Sequence, residues 1–315
     1  MATQTGTNLG SGGTTIAPQG KPLLSRRTKQ TLTGAFWYVV LAGFALVLAL
    51  PLIWLISTSL KTGAQTFLMP PKWIPDPVVW ENYPEAFRTV PFHKYFWNTI
   101  QIVLWATIGT LLTGSMAGFA FARLRFPGRG ILFGLVLSTI MLPGIVTLIP
   151  TFIVFRMLHW INTFLPLTVP FWMGGGAFNI FLFRQFFMTI PYELDEAARI
   201  DGASNFRIYW NIILPLSKPV LATIGLFYVL RYWNDWFLAL LFIDTPSLYP
   251  LQYLLQVLMR NMSVLASNPQ TMGEPIPTQS ARMAMAVLAF GPALFVFLML
   301  QKYFVRGITI GGLKG

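Results

Sequence analysis

Three carboxylates, Glu193, Asp195 and Glu196, fall within four positions of one another, followed by Arg199, Asp201 and Gly202. Pro191 suits a first helical position, so the acids occupy an opening turn, where the positive end of the helix dipole favours them. Gly202 is placed to end that helix in the left-handed conformation. Ser204 can cap a second helix, and Pro215 marks the break after it. On the second helix Phe206, Trp210 and Ile213 recur at helical spacing, while Arg207 and Asn211 point elsewhere. The spacing predicts a compact knob of two short helices with an acidic and an apolar face. Such an element can transmit a push from a soluble partner. No serine, histidine and acid arrangement accompanies it to suggest hydrolysis.

A second group sits in an apolar stretch. Arg231 and Asp235 are four apart, so on a helix they share a face and can pair. Ionisable groups inside a membrane span are costly and usually functional. Trp233, Asn234 and Trp236 complete a mixed aromatic and polar patch. A sugar offers apolar C–H faces to aromatic rings and hydroxyls to polar groups, and the patch suits both. The alternative is a structural Arg231–Asp235 pair holding this span against its neighbours. Trp172 and Asn179 are weaker pathway candidates, since a tryptophan at the end of a span also serves as an interface anchor. His93 and His159 lie in separate segments without metal-ligand spacing. There is no G-x-x-x-x-G-K-[ST], so the chain has no P-loop for ATP. The glycines at 174–176 and 311–312 lack the strand–loop–helix setting of a phosphate cradle.

The elements that must position these groups are membrane spans. Of 315 residues 55% are hydrophobic and 10% charged, with a mean hydropathy of +0.60, against about 25% charged in soluble domains. The net charge of +12 lies in loops between apolar segments, which the membrane explains better than nucleic acid does. The absence of cysteine excludes disulfides and thiol-ligated metals. A helix needs about 20 apolar residues to cross hydrocarbon, and six stretches qualify: 35–60, 95–122, 131–155, 168–188, 217–243 and 283–304. Gly174, Gly175 and Gly176 lower helix propensity in the fourth. Pro51, Pro143, Pro150 and Pro292 predict kinks in the first, third and sixth.

Six spans put both termini on one side. Fourteen of the 22 Lys and Arg lie in the N-terminal tail, 123–130, 184–218 and the C-terminal tail; seven lie in 61–94, 156–167 and 244–282. The bias places both termini and the acidic knob in the cytoplasm. Residues 1–34, with a basic patch at Lys21, Arg26, Arg27 and Lys29, read as a disordered cytoplasmic tail. Residues 35–304 form the membrane domain, with a cytoplasmic loop at 189–215, and 305–315 a C-terminal cytoplasmic tail. Of the external segments, 61–94 reads as an ordered cap, and 244–282 as a long insert with a short helix around Leu251–Met259. There is no internal repeat.

Glu196-Ala197-Ala198, three residues, Gly202, nine residues, then Ile212, one residue, Leu214 and Pro215 match the EAA loop of bacterial ABC import permeases at every position. RYWNDWFLALLFI at 231–243 resembles the Trp-Asn-Asp/Glu signature of sugar permeases. LQKYFVRGITIGGLKG at 300–315 resembles the tail of the maltose-type permeases, and specifically their oligosaccharide branch, which also carries a long insert before the last span. The resemblance covers nearly all the chain after about residue 35. It implies an all-α integral membrane protein with the type I ABC importer permease fold: six transmembrane helices and a helical coupling loop.

By resemblance, the loop docks into a cleft of an ATP-hydrolysing subunit through Glu193, Glu196, Ala197, Ala198, Asp201, Gly202, Arg207, Ile212, Leu214 and Pro215. Glu196 contacts that subunit and Gly202 lets the helices turn. The chain itself carries no cofactor; ATP and Mg belong to the partner. A second, homologous permease completes the pathway, two ATPase subunits sit below, and an extracellular solute-binding protein delivers the sugar, all at a bacterial inner (plasma) membrane. The C-tail, with Lys302, Arg306 and Lys314, either contacts the ATPases or is a positive-inside anchor. The long insert and the tail favour an oligosaccharide. An acidic one from plant or algal polysaccharide stays open, because seven external positives against five acids are too close to decide. The rival is a secondary transporter or channel working without ATP, whose inverted repeats and broken helices the sequence does not suggest.

Overall fold

The computed structural model describes residues 26–267 and 278–312. All regular structure among them is helical. The chain divides into two units, one ending at Ile53 and one beginning at Trp54. Helix α1 (Arg26–Ser59) makes up the described part of the first unit and runs on into the second, and Pro51 stays within it. Its large side chains from Phe36 to Leu50 are mostly exposed, which a helix bathed in lipid tolerates and one in water does not. Residues 26–34, expected as disordered tail, are therefore helical; the remainder of that tail lies outside the described residues.

The second unit is built around α3 (Phe92–Arg123), which is preceded by α2 (Asn82–Thr89). Asn82 ties the 61–94 segment down by donating to Ser59 O and Lys61 O, each at 2.9 Å. Helix α3 packs along α6 (Ala177–Thr189) and α9 (Lys218–Trp233), and α9 also packs on α12 (Gln279–Gly312). Small residues set the α3–α6 approach. A Cβ at Gly114 would fall 2.1 Å from the Asn179 amide, and one at Gly118 would fall 2.5 Å from Phe183 Cβ. Close contact of this kind replaces the hydrophobic driving force that lipid cannot supply. Buried hydroxyl pairs cross the helices, Thr110 with Tyr232 and Ser115 with Tyr209, both at 2.7 Å.

Three expected spans are interrupted: in 168–188 the long helix begins only at Ala177, after Gly174, Gly175 and Gly176 at positive φ, and two others are broken outright. In 131–155, α4 (Arg129–Ser138, continued by a turn to Met141) and α5 (Gly144–Met157) meet at 102°. Pro143 has no N–H to give the helix, and Leu142 before it is extended, as a residue preceding proline prefers. The result is a break where a kink was expected, whereas Pro150 and Pro292 stay inside helices. The fifth stretch, 217–243, is not one helix: α9 ends at Trp233, and α10 (Phe237–Phe242) follows after three residues. Broken helices, absent from the sequence expectation, are thus present. The insert carries α11 (Leu251–Ser267), longer than expected, and α12 continues to Gly312 through most of the expected tail.

Candidate functional site

The acidic connection folds as two short helices, α7 (Glu193–Ile200) and α8 (Asn205–Leu216). The amides of Asp195 and Glu196 bond to Tyr192 O, so the first turn opens at Tyr192 and Pro191 lies just ahead of it, not at a first helical position. Glu193, Asp195 and Glu196 do fall in that turn. At the other end Gly202 adopts φ +77. Ala203 N donates to Ala198 O at 2.9 Å and Gly202 N to Arg199 O at 3.0 Å, a Schellman stop that needs a residue without a Cβ penalty. Ser204 Oγ then accepts from Arg207 N at 3.3 Å and caps α8.

The apolar face differs from the expected one. Tyr209–Ile213 is a π-turn, which rotates Ile213 away from Phe206 and Trp210. Ile208, Tyr209 and Ile213 are buried with Ala198, while Ile212 and Leu214 are half-buried against the same core. Phe206 and Trp210 stack 6.2 Å apart and remain 63% and 49% exposed, beside Ile200 at 86%. Glu193, Glu196, Ala197, Asp201, Arg207 and Pro215 are exposed as well. A rim of carboxylates beside bare apolar side chains is what an interaction surface presents.

One acid of the three does something else. Asp195 is fully buried, 3.5 Å from Arg123 at the end of α3. The Arg123 guanidinium also donates to Phe187 O and Ile190 O, each at 2.5 Å, at the end of α6. One arginine therefore joins α3, α6 and the acidic loop. Burial raises the Asp195 pKa above the carboxylate range, and Arg123 and Arg199 pull the other way with less effect. Sequence reasoning took Arg123 only as a loop charge. The available signal was helical: Asp195 lies three residues before buried Ala198, on one face. Beside the pair opens a cleft of about 530 Å³ lined by Arg125, Phe126, Tyr192, Glu196, Arg199 and Asn205.

The second candidate group is dispersed. Asn234 ends α9, its side chain donating to Leu230 O at 2.8 Å. Asp235 is turned to cap α10, accepting from Leu238 N at 3.1 Å. Asn and Asp favour such caps over helix interiors, so Arg231 and Asp235 do not share a helix face and no ion pair forms between them. Trp233 is buried, donating to Ala289 O at 3.0 Å; it packs α9 on α12. Trp236 is exposed beside Phe237. Asn179 is buried and donates to Thr110 O and Gly174 O, and Trp172 lies against Gly109, where an added Cβ would meet it at 2.4 Å. Arg231 opens onto a groove with Phe178 and Tyr228, while Trp233 and Asn234 border a separate cavity of about 400 Å³ with Ala289 and Phe290. The side chains of Lys302, Arg306 and Lys314 lie outside the described residues.

This geometry has counterparts. The family described as binding-protein-dependent transport system inner membrane component matches residues 109–310. Protein LplC of Bacillus subtilis is 34% identical, covering 87% of this chain and 92% of its own. The polygalacturonan/rhamnogalacturonan transport system permease protein YtcP of the same organism is 32% identical over 91% of this chain and its whole length. Among solved structures, a chain of a bacterial ABC transporter involved in the import of the acidic polysaccharide alginate superposes with a TM-score of 0.75. It is 26% identical, covering 90% of this chain and all of its own. With well over half of its length under the family model and relatives matched almost end to end, the chain belongs to the inner membrane components of binding-protein-dependent transport systems, as a permease of the ABC importer type.

Proposed function

We propose that this permease forms half of the translocation pathway of an ATP-driven oligosaccharide importer, and that its α7–α8 loop is the cytoplasmic element that receives the stroke of a separate ATPase. A second homologous permease, two ATPase subunits binding ATP and Mg, and an external solute-binding protein complete the machine in a bacterial inner membrane. Both termini are cytoplasmic in this reading. The observation that carries it is the loop itself. Glu193, Glu196 and Ala197 stand exposed beside Phe206 and Trp210, on a knob whose inner face is fused to the core through Ala198, Ile208 and Ile213. A force applied to its outer face passes into α3, α6 and α9 without an intervening flexible segment. Two of the similar proteins, a polygalacturonan/rhamnogalacturonan permease and an importer of the acidic polysaccharide alginate, support an acidic oligosaccharide as the substrate read for this chain, beside a galactooligosaccharide permease of similar identity.

Purification of the intact chain from its native membrane tests the assembly. A nucleotide-binding ATPase and a second permease are expected to co-purify. Uptake by the reconstituted complex is expected to be faster for oligogalacturonates or oligoalginates than for neutral oligosaccharides of equal length. A chain that transports alone, with no ATPase attached, would overturn the reading.

A further inference from the structure

Two helices packed on α3 bring chemically matched side chains to one depth. Phe178 opens α6, twelve residues before Ile190, where the coupling segment begins; Arg231 lies thirteen residues beyond Lys218, just after it ends. At 1.5 Å per residue these positions are about 18 and 20 Å along their helices from that segment, roughly two thirds of the way across 30 Å of hydrocarbon. Between them runs a groove of about 430 Å³ lined by Phe178, Leu182, Ile224, Phe227, Tyr228 and Arg231. Phe178 and Phe227 present exposed rings to it. The Tyr228 hydroxyl is committed to Gly175 O at 3.1 Å, which fixes that ring.

The cation in this apolar groove has no ion-pair or hydrogen-bond partner among the described residues; it has a cation–π contact with the Tyr228 ring and the longer-range field of Asp235. Asp235 is turned away to cap α10. The Arg231 guanidinium lies 5.9 Å from the Tyr228 ring centroid, one turn back toward the coupling segment. A lipid tail or a neutral sugar filling the groove would leave the charge unpaired at a depth where that is costly. A carboxylated pyranose would not.

We propose that this groove is a subsite for one uronic-acid unit of the transported chain. Arg231 grips the carboxylate through two parallel N–H donors, and the C–H face of the ring lies on Phe178 and Phe227. The inference rests on the importer reading above and adds the residue that selects charge inside the membrane, beyond the selection made by the binding protein.

The test is uptake of trigalacturonate and of its methyl ester by the reconstituted importer with its binding protein, for wild type, Arg231→Gln and Arg231→Lys, with the yield of assembled complex quantified. Arg231→Gln is expected to lower trigalacturonate uptake roughly ten- to a hundredfold, the range of hydrogen bonds to a charged group, with a smaller loss of the ester and no loss of complex. Arg231→Lys is expected to fall between, keeping the charge and losing the fork. Unchanged acid uptake in Arg231→Gln overturns the proposal. So does an equal fall for acid and ester, or a loss of assembled complex, since either means that Arg231 holds the second permease. If wild type carries only the uncharged form while an ATPase co-purifies and Glu196→Lys abolishes uptake, the importer stands and the subsite falls. If no ATPase co-purifies, the importer reading itself has failed.

Discussion

The Arg123–Asp195 pair gives the sharpest prediction about the α7–α8 loop. Both side chains are buried, at 3% and 0% exposure, so solvent screening does not dilute their interaction. The two partners are not equivalent. Arg123 retains its bonds to Phe187 O and Ile190 O if the acid is neutralised, whereas neither Asp195 oxygen has a hydrogen-bond donor. Arg123→Met therefore strands a buried carboxylate, at a cost of about 3–5 kcal/mol, while Asp195→Asn costs less. The pair joins the loop to α3 and α6, so the loss should be local. If opening is confined to the loop, amides of residues 193–214 exchange roughly a hundred- to several-thousandfold faster with deuterium in Arg123→Met. The sign of the pH dependence follows from the same chemistry. Burial already raises the Asp195 pKa, and removing Arg123 removes the largest opposing influence. A raised folded-state pKa means stability that is present at low pH and lost as pH rises through it. The Arg123→Met defect should therefore shrink on acidification, and Arg123→Met combined with Asp195→Leu, which leaves no charge, should show no such dependence. Wild-type exchange in Arg123→Met, or a defect insensitive to pH, would refute the reasoning.

Other expectations are simpler to measure. A Cβ at Gly202 meets nothing within 4 Å, so Gly202→Ala costs only the left-handed backbone, about 1–2 kcal/mol. Gly118→Ala drives a methyl to 2.5 Å from Phe183 Cβ and should cut the yield of folded protein far more. Phe206→Ala with Trp210→Ala should change thermal stability of the isolated chain by under about 0.5 kcal/mol, since both are exposed, yet reduce recovery of the ATPase at least tenfold by pull-down. Lys61 is buried 3.7 Å over the Trp54 ring, with no carboxylate in reach among the described residues, and burial lowers its pKa. Its neutral form is the one folding favours. Stability should rise with pH between that lowered value and the ordinary lysine value of about 10.4, and Lys61→Met should flatten the rise in a thermal-unfolding series.

The fold of the α7–α8 loop was legible because its determinants are local. Acids in a first turn, a glycine stop and a serine cap act within a few residues, and Gly202 and Ser204 do what their positions indicate. The Arg123–Asp195 pair was not legible, because its partners sit in different elements and only the fold brings them together. The fifth span failed for another reason. Its apolar run suggested one helix, but Asn234 and Asp235 found backbone partners at 2.8 and 3.1 Å and ended it. That choice separated Arg231 from Asp235 and sent Trp233 into the core. Pro143 was visible as a perturbation, yet a 102° turn depends on what packs on each half, which no local signal encodes. The π-turn at Tyr209–Ile213 shifted the apolar face for the same reason.

The measurement that bears most directly on the central claim is ATP hydrolysis by the complex reconstituted with its binding protein and an acidic oligosaccharide, comparing wild type with Glu196→Lys and Gly202→Asp. The expected result is stimulation by substrate-loaded binding protein in the wild type and its loss in both variants, with assembly retained. Variants that hydrolyse ATP and transport as the wild type does would contradict the claim that the Glu193–Pro215 loop carries the stroke from the ATPase into the membrane.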